Sequence, residues 1–178
     1  VVLGVLGLAF FAVPFLGLLG RVPWSDLPEL WSSDVVVDAL RLSLVASVSS
    51  TLIALLLGLP LAWLLARVDF PGRSLVRGVV TLPLVLPPVV AGAALLFALG
   101  RRGLIGEPLN QATGLVLPFS TWGVIIATTF VAMPFLVITV EAALRNLDRR
   151  YEGAAAALGA KRWTVMRRVT IPMIAPSL

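Results

Sequence analysis

Residues 42–66 read LSLVASVSSTLIALLLGLPLAWLLA, without one charged side chain. At 1.5 Å per residue a helix of this length exceeds a hydrocarbon core about 30 Å thick. Three further charge-free runs flank it, at 1–20, 78–100 and 108–140. The whole chain is 59% hydrophobic and 13% charged, with a mean hydropathy of +1.02. A soluble domain carries about 25% charged residues. These runs predict an all-α polytopic membrane helical bundle forming one transmembrane domain over 1–178. Its spans fall at about 1–20, 40–66, 76–99 and 119–143. A signal peptide competes for 1–20, but that run is long for one and lacks a small-x-small cleavage site. Apolar sequence at both ends reads as a piece of a longer chain, truncated at its C-terminal side.

Cysteine and histidine are both absent. That excludes Cys/His zinc sites, disulfides, thiol nucleophiles and Ser-His-Asp triads. The net charge of +5 is no argument for nucleic acid, because in a membrane protein the placement of Lys and Arg decides. Arg67, Arg73, Arg77, Arg145, Arg149, Arg150, Lys161, Arg162, Arg167 and Arg168 fall on one side. Arg21, Arg41, Arg101 and Arg102 fall on the other, among five carboxylates. The richer side is predicted to be cytoplasmic. Trp24 and Trp31 then sit in an outer loop, where indole rings suit the lipid–water boundary.

Within the second span, Ser43, Ser47, Ser50, Thr51, Ala54 and Gly58 recur at spacings of three and four. They form either a polar wall along a solute path or a packing ridge, and small residues favour the ridge. No span holds an internal ionisable residue; Glu141 lies at the inner end of the fourth, where it can reach the headgroups. Proton relays and voltage sensors use buried ionisable groups, so this part of the chain carries neither.

The third span begins oddly. Residues 82–92 read LPLVLPPVVAG, with Pro83, Pro87 and Pro88 in the first half of an apolar run. Interior prolines cost about 3 kcal/mol each. Non-helical backbone at membrane depth is tolerated only against protein or water. The run reads as a break bordering a translocation path near an inner gate, or as a static kink filled by neighbours.

Residues 148–172 read DRRYEGAAAALGAKRWTVMRRVTIP. Asp148 can cap a short helix, Glu152 sits in its first turn and Gly159 fits its stop. An amphipathic helix lying on anionic lipid is one reading. The segment also resembles the inner loop of bacterial ABC-importer permeases: Glu-Ala-Ala, three residues, Gly, nine residues, Ile, one residue, Leu-Pro. Here the aligned positions are Gly153, Ala154, Ala155, Gly159, Val169, Ile171 and Pro172. Glu152 stands one place before the family's glutamate, so that glutamate's ion pair is not carried over.

"LPLVLPPVVAGAALLFALGRRGLIG", "FPGRSL" and the stretch from "PFSTWG" to "ALGA" are similar to molybdate-type permeases, with sulfate/thiosulfate and tungstate permeases as near relatives. The resemblance implies the six-helix transmembrane subunit of an ATP-driven importer in the bacterial cytoplasmic membrane. The loop 145–172 is then the coupling helix that docks on a cytoplasmic ATPase subunit. It implies an extracytoplasmic oxyanion-binding protein and a second permease copy as the other partners. ATP and magnesium belong to the ATPase, and no cofactor is expected on this chain. The lone lysine, Lys161 in GAKRW, makes no P-loop, so the chain is not itself an ATPase. A secondary transporter or channel is the competing class.

Overall fold

A computed structural model of the chain describes residues 2–175, apart from the side chains at 28, 30, 149 and 162. Contacts divide it into two units, residues 1–43 and 44–178. In the first, α1 (Val2–Leu19) is apolar all round and buries none of its described side chains within the chain, as a helix facing lipid does. A 3₁₀ turn, Trp24–Asp26, and α2 (Leu27–Trp31) follow. Trp24 Nε1 donates to the carbonyl of Leu19 at 3.2 Å, tying the turn to the end of α1. The helix α3 runs Asp34–Arg67, past both boundaries expected for the second span.

The second unit holds the rest of α3 and six further helices among the described residues: α4 (Arg73–Val85), α5 (Pro88–Leu99), α6 (Gly106–Thr113), α7 (Thr121–Asn146), α8 (Arg149–Ala157) and a last helical run. That run comprises α9 (Arg162–Val165), a π turn (Met166–Thr170) and α10 (Ile171–Ile174). Its core is Leu65, Val137, Val140 and Leu144 with Ala62, Ala66 and Ile174, so α3, α7 and α10 meet at one end of the bundle.

The packing face of α3 is a row four residues apart: Ala46, Ser50, Ala54, Gly58, Ala62 and Ala66 are all buried. A Cβ built on Gly58 would sit 2.7 Å from Leu136 Cδ2, so the small ridge lets α7 approach closely. Ser43 and Ser47 are exposed on the neighbouring face. Ser50 Oγ donates to the Ser47 carbonyl at 3.1 Å, and Thr51 Oγ1 to the same carbonyl at 2.7 Å. The hydroxyls are satisfied by their own helix. The ridge reading fits Ser50, Ala54 and Gly58, which are buried, while Ser43, Ser47 and Thr51 of the predicted row are exposed.

The expected third span is two helices, bent by 118° between α4 and α5. A residue before proline is driven out of the α region, and here two prolines act in succession. Leu86 takes φ −70°, ψ 133° and Pro87 φ −54°, ψ 141°. Pro88 opens α5 at a position where its missing N–H costs nothing.

The pair has the form of a broken span or a re-entrant loop. Arg77 meets Glu141 at the inner end of α7. Farther along, Val76, Val80 and Pro83 share a groove with Phe130, Met133 and Pro134. Gly92, Leu95, Leu96 and Leu99 then share one with Leu117, Gly123 and Ala127 at the start of α7. Counted as one broken span, the pair joins the three long apolar helices to give up to four candidate spans among the described residues.

The outer connection is tight. A Cβ on Gly106 would lie 2.0 Å from the Gly100 carbonyl oxygen, and one on Gly123 2.2 Å from that of Leu117. Backbone oxygens cannot step aside, so no other residue fits there.

The arrangement predicts sidedness. In this cysteine-free chain, cysteines replacing exposed Asp69 and Lys161 should resist an impermeant thiol reagent in intact cells. One replacing exposed Ala112 in α6 should react. The reverse pattern would overturn the assignment.

Candidate functional site

The inner end of the second unit gathers the charges that the sequence scatters. Arg73 donates to the Asp69 carboxylate and to the Leu65 carbonyl, capping the C-terminus of α3 across the turn Asp69–Gly72. Gly72 adopts φ +86°, a left-handed value that suits glycine.

Glu141 corrects the sequence reading. It does not reach for headgroups: its side chain is 8% exposed and paired with Arg77 of α4 and with Arg145 at 3.0 Å. A charge near the membrane interior is retained where it is paired, and this pair fastens α4 to α7.

The surface segment forms as the local sequence dictates. Asp148 caps α8, its carboxylate accepting from Arg150 N at 2.9 Å. At the other end, Gly159 N–H donates to the Ala156 carbonyl at 2.9 Å and Ala160 N–H to that of Ala155 at 3.1 Å. This paired closure needs a left-handed residue, and Gly159 has φ +82°. A Cβ there meets nothing within 4 Å in this chain. The glycine is required by conformation before any partner arrives.

We therefore expect Gly159→Asn to be tolerated better than Gly159→Ala, since Asn enters the left-handed region more readily. The alanine variant should lose about 1 kcal/mol, read as thermal stability. Harm that follows side-chain size instead would point to crowding.

Gly153, Ala154, Ala156 and Ala157 are exposed, and Leu158 is 89% exposed. The exposed surface of α8 thus carries small residues beside Arg150 and Tyr151. Glu152 is turned toward the rest of the unit. Its Oε1 accepts from Arg67 Nη2 at 3.1 Å and from Thr170 Oγ1 at 2.9 Å.

The second half of the segment is helical through Pro172. Pro172 lacks an N–H and would press on the carbonyl four residues back. The widened turn accommodates it, with Ile171 N–H reaching the Met166 carbonyl in a five-residue bond. Val169, Ile171 and Pro172 therefore shape one helical run, while Ala154, Ala155 and Gly159 shape α8. Pro83 lies inside α4, apart from both; Pro87 and Pro88 are exposed at the break.

Arg67, Arg77 and Thr170 were not legible as partners. Sixty-four and eighty-five residues separate the two inter-helix ion pairs, and no local spacing encodes that.

Long apolar helices and one bent pair around a small-residue ridge, with a helix laid across one end, define an integral membrane subunit rather than a soluble enzyme domain. The chain belongs to the family described as binding-protein-dependent transport system inner membrane component, whose model matches residues 54–178. It is 44% identical over 172 residues to the molybdenum transport system permease protein ModB of Mycobacterium tuberculosis, covering 97% of this chain and 65% of that protein. It is 43% identical over 141 residues to the protein of the same name from Escherichia coli (strain K12), covering 79% and 62%.

A probable sulfate transport system permease protein of Marchantia polymorpha is 34% identical over 175 residues, covering 97% and 60%. The chain thus spans 65% or less of the length of these relatives. Among solved structures, a bacterial ABC transporter importing the acidic polysaccharide alginate matches with a TM-score of 0.74 at 24% identity. That match covers 97% of this chain and 65% of that one, and it is a likeness of fold.

Proposed function

We propose that the chain is part of the transmembrane permease of an ATP-driven importer whose cargo is molybdate. The observation that carries the cargo is the gap between 44% identity to a molybdenum permease and 34% to a sulfate one, each over nearly the whole chain. Tungstate, sulfate and thiosulfate are the competing cargoes, and a secondary transporter the competing class.

In this reading α8 is the coupling helix. Its exposed face of Gly153, Ala154, Ala156, Ala157 and Leu158 is where a cytoplasmic ATPase subunit docks. An extracytoplasmic oxyanion-binding protein delivers cargo from the other side. Two permease copies form the pore, and ATP with magnesium is consumed by the ATPase, not by this chain. The exposed break at Leu86–Pro87 borders the path: Pro87 and Pro88 are exposed, and Val89 is 83% exposed. Bare backbone in a bilayer needs protein or water beside it.

The test is uptake of labelled molybdate by the full-length permease assembled with its ATPase and binding protein. Uptake should require ATP, and a tenfold excess of sulfate should compete poorly. Uptake that persists without the ATPase would reject the class, and equal competition by sulfate would reject the cargo.

A further inference from the structure

We propose that Glu152 is a positioning residue: with Arg67 and Thr170 it clamps α8 to the inner end of α3 and to the helix that follows, so that these move as one body. The inference rests on the coupling role given to α8 above and names what transmits its motion.

Three observations converge. First, one carboxylate oxygen, Glu152 Oε1, accepts from two elements at once, Arg67 Nη2 on α3 and Thr170 Oγ1 on the π turn. Second, the partners are enclosed. The Arg67 side chain is 9% exposed, Thr170 is buried, and Glu152 is the carboxylate that faces Arg67 among the described residues. A buried guanidinium is held by its counter-charge, and removing that charge is costly.

Third, Thr170 behaves unlike other threonines here. Thr51, Thr113, Thr129 and Thr139 each donate to the carbonyl four residues back in their own helix. Thr170 donates across to α8 instead, from a turn whose backbone is widened ahead of Pro172. Glu152 and Pro172 thus serve one junction.

Such a clamp has a mechanical consequence. A push on the exposed face of α8 reaches α3 through an ion pair, and α10 through the Thr170 hydrogen bond to the helical run that contains it. Glu152 would then act inside the permease, not on the ATPase surface.

The test uses the full-length permease assembled with its ATPase and binding protein in proteoliposomes. Arg67→Cys with Glu152→Cys, joined by a short bifunctional maleimide, should cross-link efficiently, and the linked transporter should keep ATP-driven uptake because the two sites do not separate in the cycle. Unlinked Glu152→Gln should move at least about fivefold less cargo per ATP hydrolysed, the lower range of measured couplings between sites. Exchanging the charges, Arg67→Glu with Glu152→Arg, should restore most of that ratio.

Absence of cross-linking would overturn the geometry. A linked transporter that stops, or Glu152→Gln with an unchanged ratio, would overturn the clamp. If unmodified permease took up no molybdate, the cargo assignment would fail while the cross-link still reported on the junction.

Discussion

Replacing Arg77 by methionine should lower thermal stability sharply, and replacing Glu141 by leucine in the same chain should restore most of it. The single change strands a carboxylate that is 8% exposed, leaving it Arg145 alone. Breaking a buried pair from one side costs about 3 kcal/mol or more. The surviving Arg145 contact puts the expected loss near the bottom of that range, or roughly 6–12 °C in melting temperature for a chain of this size. The double variant removes the stranded charge and substitutes apolar packing, which is often neutral. Thermal melts of the purified single and double variants decide it. A double variant no better than the single would mean that Arg77 acts through something other than Glu141.

The break between α4 and α5 carries the second large effect. Replacing Pro87 and Pro88 by alanine returns two N–H donors and removes two clashes, favouring a straight helix by about 3 kcal/mol or more. Stability should hold or rise. Transport per folded molecule should nevertheless fall at least about tenfold, because a bias of that size exceeds what a gating equilibrium of a few kcal/mol tolerates. A static kink predicts the opposite pattern, lower stability with normalised transport unchanged. The exposure of Pro87, Pro88 and Val89 leaves little packing within this chain for such a kink to protect. Uptake normalised to folded protein, measured beside the melting temperature, separates the two.

Both effects sit where local and long-range information divide. Residues 42–66 announce a span by length and the absence of charge, and the helix is there. Asp148, Gly159 and the run of alanines between them announce α8, because caps and left-handed stops are properties of a few consecutive residues. The proline pair announces a break at Leu86–Pro87, since proline constrains its own φ and the residue before it.

The 118° bend is not in those residues. It depends on what α4 and α5 pack against along α7. The small-residue row of α3 was legible in part as a face. Ser50, Ala54 and Gly58 are buried, while Ser43, Ser47 and Thr51 keep the same helical spacing and are exposed; the approach of α7, with Leu136 against Gly58, separates the two groups.

The charges divide in the same way. Sequence alone placed Glu141 at a helix end and Glu152 one position from a family glutamate. Their partners, Arg77 and Arg67, lie far away in the chain. Ion pairs at such separation are decided by which helix ends the fold brings together, because a charge has no local rule that names its counter-charge. Sequence thus determined the spans, their caps and their breaks through rules that act over one or two turns. Tertiary structure decided the buried face and the two inter-helix ion pairs, because burial and electrostatic pairing depend on distance in space, not along the chain.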